Sequence, residues 1–336
     1  MTIFSRKGAA LTAAAFTVLS ISKTSAHEDY LPSPLGHAPI GVMGDHRHNE
    51  GDWMVSYRFM TMTMEDNRNG TTDLSPAQVR TQFGFPVVPL KMTTDMHMFG
   101  LMYGWSNDLT LTIMAPYVEK SMDHQRPNGT IFEAGAKGWG DIKVSGLQKL
   151  TDTTHLKIGM SLPTGSINER DTVPGHLPYP MQLGSGTYDI LAGVTWTDFI
   201  DPLGPNTKVG AQLDAVLRTG TNSNDYRLGN QVKVTGFVNH LLSDTISVTG
   251  RITGRATGQV RGADRKILAR PAPTTDPDNH GGEWVDLGIG LNYVLPGTPL
   301  KGHRISVEYE KTVYQDLNGP QLKMDDMLTI GFQAAF

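Results

Sequence analysis

Apolar and polar residues alternate with a period of two along most of the chain. In the segment Lys208–Arg218, for example, Val209 and Leu213 fall on one face while Gln212 and Asp214 fall on the other. Such alternation predicts β-strands whose two faces meet different surroundings. Because the polar face carries charged residues, it is too polar for a protein core and must meet water.

About twelve strands are predicted, near residues 52–63, 94–104, 109–119, 140–150, 155–164, 185–198, 207–219, 226–241, 244–258, 283–295, 302–315 and 323–336. Their connections alternate between short turns and longer loops, and the longest loops span residues 64–93, 120–139, 165–184 and 259–282. Short turns at one end and long loops at the other are typical of outer-membrane barrels. We therefore predict an all-β fold, a transmembrane antiparallel up-and-down β-barrel of about twelve strands.

The membrane explains why the sheet must close. Lipid offers no hydrogen-bond partners, so a non-helical chain crosses it only as a closed sheet with every backbone group paired. The last predicted strand places Leu328, Ile330 and Phe332 on one face and ends at Phe336, an ending that resembles the assembly signal of outer-membrane barrels. The alternation alone leaves a secreted all-β sandwich or lectin open as the alternative fold.

The N-terminal residues 1–26 have the features of a cleaved secretory signal peptide. Arg6 and Lys7 precede an apolar stretch, and small residues ending at Ala26 form a cleavage site. Residues 27–51 are then expected to form a periplasmic arm or plug, and residues 52–336 the barrel. The expected location is the outer membrane of a Gram-negative cell.

Composition and motifs narrow the classes of function. The chain of 336 residues has a formal net charge of −4, only 18% charged residues and no cysteine. Nucleic acid is therefore not an expected partner, and disulfides cannot form. A Gly-rich phosphate loop, a zinc-protease helix motif and a Gly-x-Ser-x-Gly elbow are all missing from the sequence. We expect a protein that is not an enzyme and has no resident cofactor.

Methionine is unevenly distributed, because eleven of the 16 methionines fall between residues 40 and 125. The alternation turns many of them toward the lumen on three consecutive strands, and histidines lie close to them in sequence. Thioether and imidazole together form a soft ligand set that favours copper. The candidate metal ligands are Met43, His46, His48, Met60, Met62, Met64, Met96, His97, Met98, Met102 and Met114. The alternative is that methionine supplies adaptable apolar surface, as packing or as a wall for greasy solutes.

Charged residues of both signs are predicted on the inward face of the later strands: Arg218, Arg227, Arg251, Arg255, Asp286, Arg304, Glu308 and Glu310. Cross-strand ion pairs that fix the register of the sheet are the favoured interpretation. Mixed signs argue against a pore with strong selectivity for anions or cations.

Several runs resemble a known family: Gly51–Met60 with the preceding His37–His46, Leu162–Ser166, Gln182–Asp189 and Tyr226–Gly229. They are similar to the outer-membrane transporter family named for the MetA pathway of phenol degradation, and in particular to its Met- and His-rich branch associated with copper resistance genes. The resemblance implies a barrel and a transport role. It carries over no substrate and no catalytic residue.

The expected function is that of an outer-membrane channel or transporter that binds or passes copper through a Met-lined lumen. One alternative is a channel for small hydrophobic or aromatic compounds, which predicts an apolar tunnel beside the methionines without convergent histidines. The other is a non-transporting envelope protein that binds metal, which predicts a lumen blocked by side chains. Outer-membrane lipid and a small-molecule or metal-ion solute are the expected partners, and a monomer is the default state.

Overall fold

The computed structural model describes residues 33–336 except Pro174, Leu268 and residues 297–301. The proposed signal peptide therefore lies outside the described residues. The strands are β1 (Trp53–Gly70), β2 (Thr72–Leu74), β3 (Val88–Ser106), β4 (Leu109–Gln125), β5 (Ile131–Trp139), β6 (Ile142–Lys149), β7 (Thr154–Leu162), β8 (Arg170–Asp171), β9 (Gly175–His176), β10 (Asp189–Phe199), β11 (Thr207–Arg218), β12 (Tyr226–Arg227), β13 (Gln231–Ser243), β14 (Ile246–Thr257), β15 (Arg261–Gly262), β16 (Gly282–Val294) and β17 (Arg304–Ala335). The helices are α1 (Pro76–Phe83) and four short 3-10 helices at Pro34–Gly36, Tyr179–Met181, Asp201–Leu203 and Pro273–Thr275.

One antiparallel sheet closes on itself. Its order is β17-β16-β14-β13-β11-β10-β7-β6-β4-β3-β1, and β17 pairs back onto β1 to complete the ring. The last strand makes two passes, because residues 304–317 pair with β16 and residues 321–335 pair with β1, while Leu317 contacts both strands. Counting the two halves of β17 separately gives twelve passes around the ring. The predicted all-β antiparallel barrel of about twelve strands is therefore confirmed. No helix in the described part of the chain is long and apolar enough to cross a membrane.

The side chains of each strand divide into an outer apolar set and an inner polar set. On β1, Trp53 and Val55 are exposed, whereas Met54 and Ser56 are buried. Ile289 on β16 is 63% exposed on the outer surface. A closed sheet with this outer surface can face acyl chains while its inner surface faces the lumen. The alternation predicted from the sequence therefore gives the correct faces.

The predicted bounds of two long loops are wrong in part, because the strands next to these loops are longer than expected. Residues 64–93 contain the end of β1, the strand β2, the helix α1 and the start of β3. Residues 120–139 form a hairpin in which the upper part of β4 pairs with β5. Polar residues such as Asp123 and Glu133 pair there in register. The polar composition of these segments predicts loops. A strand that extends beyond the lipid can nevertheless carry polar residues on both faces, because both faces meet water there.

The two ends of the barrel differ. The lower end, where β1 starts beside Phe336, has the short turns, including residues 107–108 between β3 and β4. The upper end has the longer connections, and they fold over its mouth. Leu177 and Met181, from one such connection, pack on the inward side chains Met92 and Met122. Side chains from this connection thus cover part of the upper mouth.

Candidate functional site

The segment from Ser33 to Asp52, which we call the arm, lies inside the lower part of the barrel. Many of its side chains are buried, among them Ile40 and Val42, each 2% exposed. Its backbone turns back on itself where the Val42 amide donates to the Pro39 carbonyl at 2.9 Å. The arm therefore enters the lumen, reverses, and leaves toward the start of β1.

Polar side chains of the barrel wall hold the arm by its backbone. Five contacts do this: Asn239 Nδ2 donates to the carbonyls of Pro34 (2.8 Å) and His37 (2.7 Å), Arg304 Nη2 to Ala38 (2.6 Å), Gln212 Nε2 to Met43 (3.0 Å), and His155 Nε2 lies 2.8 Å from the Gly44 carbonyl. Because these contacts come from strands around the ring, the arm spans the lumen. The carbonyls of the arm are not paired in a sheet, so these wall donors supply the hydrogen-bond partners that buried backbone groups need.

Small residues let the arm approach the wall closely. A Cβ on Gly331 of β17 would lie 2.8 Å from Ile40 Cδ1, so only glycine leaves room for that isoleucine. A Cβ on Gly41 of the arm would overlap both Arg251 Nη2 and Glu308 Oε1. The arm therefore contacts a buried ion pair of the wall through a glycine backbone.

Three histidines and a carboxylate of the arm converge. His37, Asp45 and His46 each offer a ligand atom, and these atoms lie within 4.8 Å of one another. The rings of His37 and His46 are perpendicular, with centroids 4.6 Å apart, and the His48 ring centroid lies 5.0 Å from that of His46. All four residues are buried. We call this group the arm cluster.

The arm cluster contains polar atoms without hydrogen-bond partners. His37 Nδ1, His46 Nε2 and His48 Nε2 are buried and unpaired. Burial and the nearby Arg304 lower the pKa of His37 well below its usual value. Burial, aided by His46, lowers the pKa of His48 to about 3. These two imidazoles are neutral near pH 7, which is the form that binds a metal ion.

A small cavity lies beside the arm cluster. It has a volume of about 10 Å³ and is lined by Asp45 together with inward residues of β1, β3 and β4, including Met54, Met102 and Met114. That volume corresponds to about one water molecule. The lower end of the methionine-rich wall therefore contacts the arm directly.

A second group of methionines lies near the upper mouth. Met324, Met64, Met92 and Met122 are successive cross-strand partners on β17, β1, β3 and β4, so their side chains share the inward face. We call these four residues the methionine row. Met92 and Met122 pack with Ala134, Ala136, Leu177 and Met181, and Met64 packs against the same cluster. The row is thus part of an apolar surface under the upper loops.

The arm cluster and the methionine row are too far apart to form one site. Met54 lies beside the arm, and Met64 belongs to the row. The ten residue steps from Met54 to Met64 correspond to about 33 Å along an extended strand. The single Met and His ligand set predicted from the sequence is therefore divided between the two ends of the lumen.

The structure places the individual predicted ligands as follows. Met60, Met62, Met64, Met96, Met98, Met102 and Met114 all lie on the inward face, by the parity of β1, β3 and β4. Met60 pairs with Met96, and Met62 pairs with Met327. Met43, His46 and His48 lie in the arm. His97 is separated from its neighbours Met96 and Met98 because it faces outward, where its Nδ1 lies 2.8 Å from Tyr57 Oη.

Sequence reasoning missed His37 and Asp45, the two other members of the arm cluster. It also missed Met324, which completes the methionine row from the far end of the chain. The alternation of the last strand gives the inward face of Met327, but a bulge between Thr63 and Met64 shifts the register at Met324. His37 and Asp45 lie in an irregular segment, where no period assigns a face.

The prediction of ion pairs on the inward face is confirmed for Arg218, Arg251, Glu308 and Glu310 only. Arg227 lies on β12, outside the barrel sheet, Arg255 stacks on Trp284, and Asp286 accepts a hydrogen bond from Thr312. Arg251 pairs with both Glu308 and Glu310, and the distance from Arg251 Nη2 to Glu310 Oε2 is 2.6 Å. Arg218 pairs with Asp189. Arg304 differs, because its donors go to the neutral groups of Asn292, Gln333 and Ala38. The wall therefore carries paired charges at mid-height, around Arg251, and at the upper strand ends, between Arg218 and Asp189, and the guanidinium of Arg304 holds the arm.

Comparisons of the chain with models of protein families and with curated proteins give no match. Among solved structures, the chain is similar to an outer-membrane channel from Pseudomonas putida F1, with a TM-score of 0.63 and 12% identity over 88% of this chain and 99% of that one. It also matches the toluene transporter TodX of P. putida, with a TM-score of 0.44 and 10% identity over 86% of this chain and 91% of that one. The first of these likenesses shows that the chain has the fold of an outer-membrane β-barrel.

Proposed function

We propose that the protein is an outer-membrane channel for small solutes whose lumen is closed by the arm and opens when the arm moves. The observation that carries this proposal is the way the arm is held. The contacts described above join wall side chains to arm backbone carbonyls, and water can replace such contacts. A segment held in this way can leave the lumen without disturbing the pairing of the barrel strands.

The membrane location follows from the outer surface of the closed sheet. Exposed apolar residues cover it, and aromatic residues such as Trp53, Trp105 and Tyr293 lie near the lower strand ends. Aromatic side chains at this level suit the membrane interface. We assign the chain to the outer membrane of a Gram-negative cell, reached through a cleaved signal at residues 1–26, and we assign it no catalytic step.

Small hydrophobic or aromatic compounds are the solute class that the upper mouth supports best. Met64, Met92 and Met122 of the methionine row pack with leucine and alanine, which gives an apolar surface beneath the upper loops. Methionine is flexible and polarisable, so it adapts to ligands of differing shape, aromatic rings among them. Once the loop side chains that cover it move aside, such a surface would collect apolar solutes before they meet the polar lumen.

Copper is the second candidate solute, favoured by the in-register placement of four thioethers in the methionine row. Thioether ligands select Cu(I). Neighbouring strands lie about 4.8 Å apart, so adjacent members of the row are close enough for small side-chain movements to join two sulfurs on one ion. In this case the row would receive the ion at the upper mouth and pass it along Met62, Met60 and Met96.

Liposome assays separate these proposals. Full-length protein and a variant lacking residues 34–48 are reconstituted, and swelling is measured with arabinose and with phenol, while Cu(I) entry is followed by an enclosed chelating dye. We expect the deletion to increase uptake several-fold. Equal uptake by the two proteins and by empty liposomes would contradict a channel closed by the arm.

The solute class is tested on the row itself. Replacing Met64 and Met92 together by leucine keeps the volume and the apolar character but removes two sulfurs. Phenol uptake that survives this change, with no Cu(I) entry in either protein, supports the apolar solute. Cu(I) entry that is lost in the leucine variant supports copper instead.

A further inference from the structure

We propose that the arm cluster binds a divalent transition-metal ion of the Zn²⁺ or Cu²⁺ class, with His37, Asp45 and His46 as ligands and His48 as the fourth. This site differs from the methionine row in its position and in its chemistry. Imidazole and carboxylate ligands suit these ions, whereas thioethers suit Cu(I).

The unpaired ring nitrogens are the first argument. Nearly all buried polar atoms in native structures have a hydrogen-bond partner, and a buried group without one points to a missing water or ion. Here three histidines within a single short segment each have a buried nitrogen without a partner: His37 Nδ1, His46 Nε2 and His48 Nε2. One ion would satisfy several of these lone pairs at once.

The carboxylate is already oriented for ligation. Asp45 Oδ2 accepts a hydrogen bond from the Ala38 amide at 2.8 Å, which fixes the plane of the carboxylate. Its other oxygen, Oδ1, lies 2.9 Å from His46 Nδ1. Groups that fix a ligand from behind in this way are typical of protein metal sites. The Ala38 amide comes from the residue next to His37, so one short segment supplies both a ligand and the support of another.

The distances require only a small contraction. Ligand atoms of a tetrahedral zinc site lie about 3.4 Å apart, since each bond is about 2.0–2.1 Å long. Those of His37, Asp45 and His46 lie within 4.8 Å of one another. They therefore need to close by at most about 1.4 Å, and they sit on an irregular segment that can adjust by side-chain rotation.

Nearby guanidinium groups weaken the binding of a cation to the arm cluster, but they do not occupy its ligand atoms. Arg304 lies close enough to influence His37, and Arg58 interacts with Asp45. The donors of Arg304 are directed to Asn292, Gln333 and the Ala38 carbonyl. The Asp45 charge offsets part of the repulsion that an incoming cation meets from these guanidinium groups.

The position of the site gives the ion a role. His37 lies before the turn at residues 39–42, and Asp45, His46 and His48 follow it, so an ion would join the two limbs of the arm. A ligand that binds only the folded arm stabilises that fold by mass action. The ion would hold the lumen closed, and its removal would loosen the arm. This consequence for transport rests on the proposed channel function, but the binding of the ion does not.

Binding is tested on the full-length protein in detergent after dialysis against EDTA and then against metal-free buffer. Calorimetric titration with ZnCl₂ at pH 7.5 should show one ion per chain. The variants His37→Gln and His46→Gln should each weaken binding at least about tenfold. His97→Gln, on the outer face, is the matched control and should bind like the wild type. Heat-modifiable migration on gels shows that each barrel is folded.

A second measurement does not depend on any variant. Electron paramagnetic resonance of the wild type with one equivalent of CuSO₄ should show hyperfine coupling to two or more nitrogens. A folded wild type that binds no ion, or glutamine variants that bind as tightly as the wild type, would overturn the site. If the ion binds but EDTA leaves arabinose uptake unchanged, its role in closing the lumen is overturned while the site stands. Low uptake by the arm deletion would refute the channel and leave both metal measurements unaffected.

Discussion

The side-chain amide of Asn239 donates to the carbonyl oxygen of His37 at 2.7 Å, although 202 residues separate them in the sequence. The same nitrogen donates to the Pro34 carbonyl at 2.8 Å. One wall residue on β13 therefore fixes the start of the arm and the first histidine of the arm cluster.

Replacing Asn239 by alanine should loosen the arm without affecting the barrel. Two hydrogen bonds are lost, each worth about 1 kcal/mol, so amides around residues 36–42 should exchange hydrogen about 30-fold faster. Hydrogen exchange followed by mass spectrometry measures this rate. Val238→Ala removes an outward side chain from the same strand and is the control. Exchange in the arm that does not change in the Asn239 variant would show that the wall contact contributes nothing.

The methionine row yields a prediction about packing. Met92 is 3% exposed and lies in the cluster with Met122, Ala134 and Leu177. Met92→Ala should lower the free energy of unfolding by about 2–5 kcal/mol, because it leaves a cavity. Met92→Leu, which nearly conserves volume, should cost less than about 1.5 kcal/mol. Urea titration of the refolded barrel in lipid vesicles measures both, and equal losses would contradict close packing at this position.

The ion pair between Arg251 and Glu308 yields a prediction about buried charge. Arg251 reaches Glu308 across the intervening strand β16 at Gly288, which has no side chain to obstruct it. Glu308→Ala leaves the guanidinium with Glu310 as its remaining carboxylate partner. Removing one partner of a buried pair typically costs about 3–5 kcal/mol, and Glu310 should keep the loss near the lower end of that range.

Urea unfolding in lipid vesicles tests the Glu308→Ala variant. The control is Glu119→Ala, an exposed carboxylate on β4, which should change the unfolding free energy by less than about 0.5 kcal/mol. A Glu308→Ala barrel as stable as the wild type would mean that Glu310 alone satisfies Arg251.

Most of the barrel could be predicted from the sequence, because lipid and water on opposite faces impose a strict period of two on every strand. Met60 and Met96 were placed inward by that period, and they are cross-strand partners. The same period, applied to His97, places it outward and so separates it from the methionines on either side. What alternation cannot give is contact between strands and irregular segments. His37 and Asp45 meet because the arm reverses inside a cavity that the whole barrel creates, and no local pattern encodes that cavity.

The helix α1 is a different kind of omission, because its signal is local. Ser75 and Gln78 form a capping box, Pro76 occupies the first turn, and Gly84 ends the helix in the left-handed conformation with φ of 75°. This combination is a recognisable start and stop signal for a helix. A search for caps inside the long predicted loop would have found it.

The upper loops should open as the pH falls, because of His280. Burial lowers the pKa of His280 to about 4, its Nε2 is buried without a partner, and its ring packs on Tyr179 at 5.2 Å between centroids. The opened loop restores a pKa near 6.5. Since the closed form binds the proton less well, its stability is complete above about pH 6.5. That stability falls by up to about 3 kcal/mol as the pH drops toward 4, where the loss levels off.

Hydrogen exchange of residues 259–282, compared at pH 7 and pH 4.5 after correction for intrinsic rates, measures the opening. The wild type should show faster exchange at pH 4.5, while His280→Gln, which cannot titrate, should show a much smaller acceleration. Asp276, the charged group that acts on His280, favours its protonated form, so Asp276→Asn should make the loop more sensitive to acid. Because His280 binds a proton more readily in the open loop than in the closed one, acid favours opening of the loop at the upper mouth. Identical acid responses in the wild type and His280→Gln would assign the opening to another group.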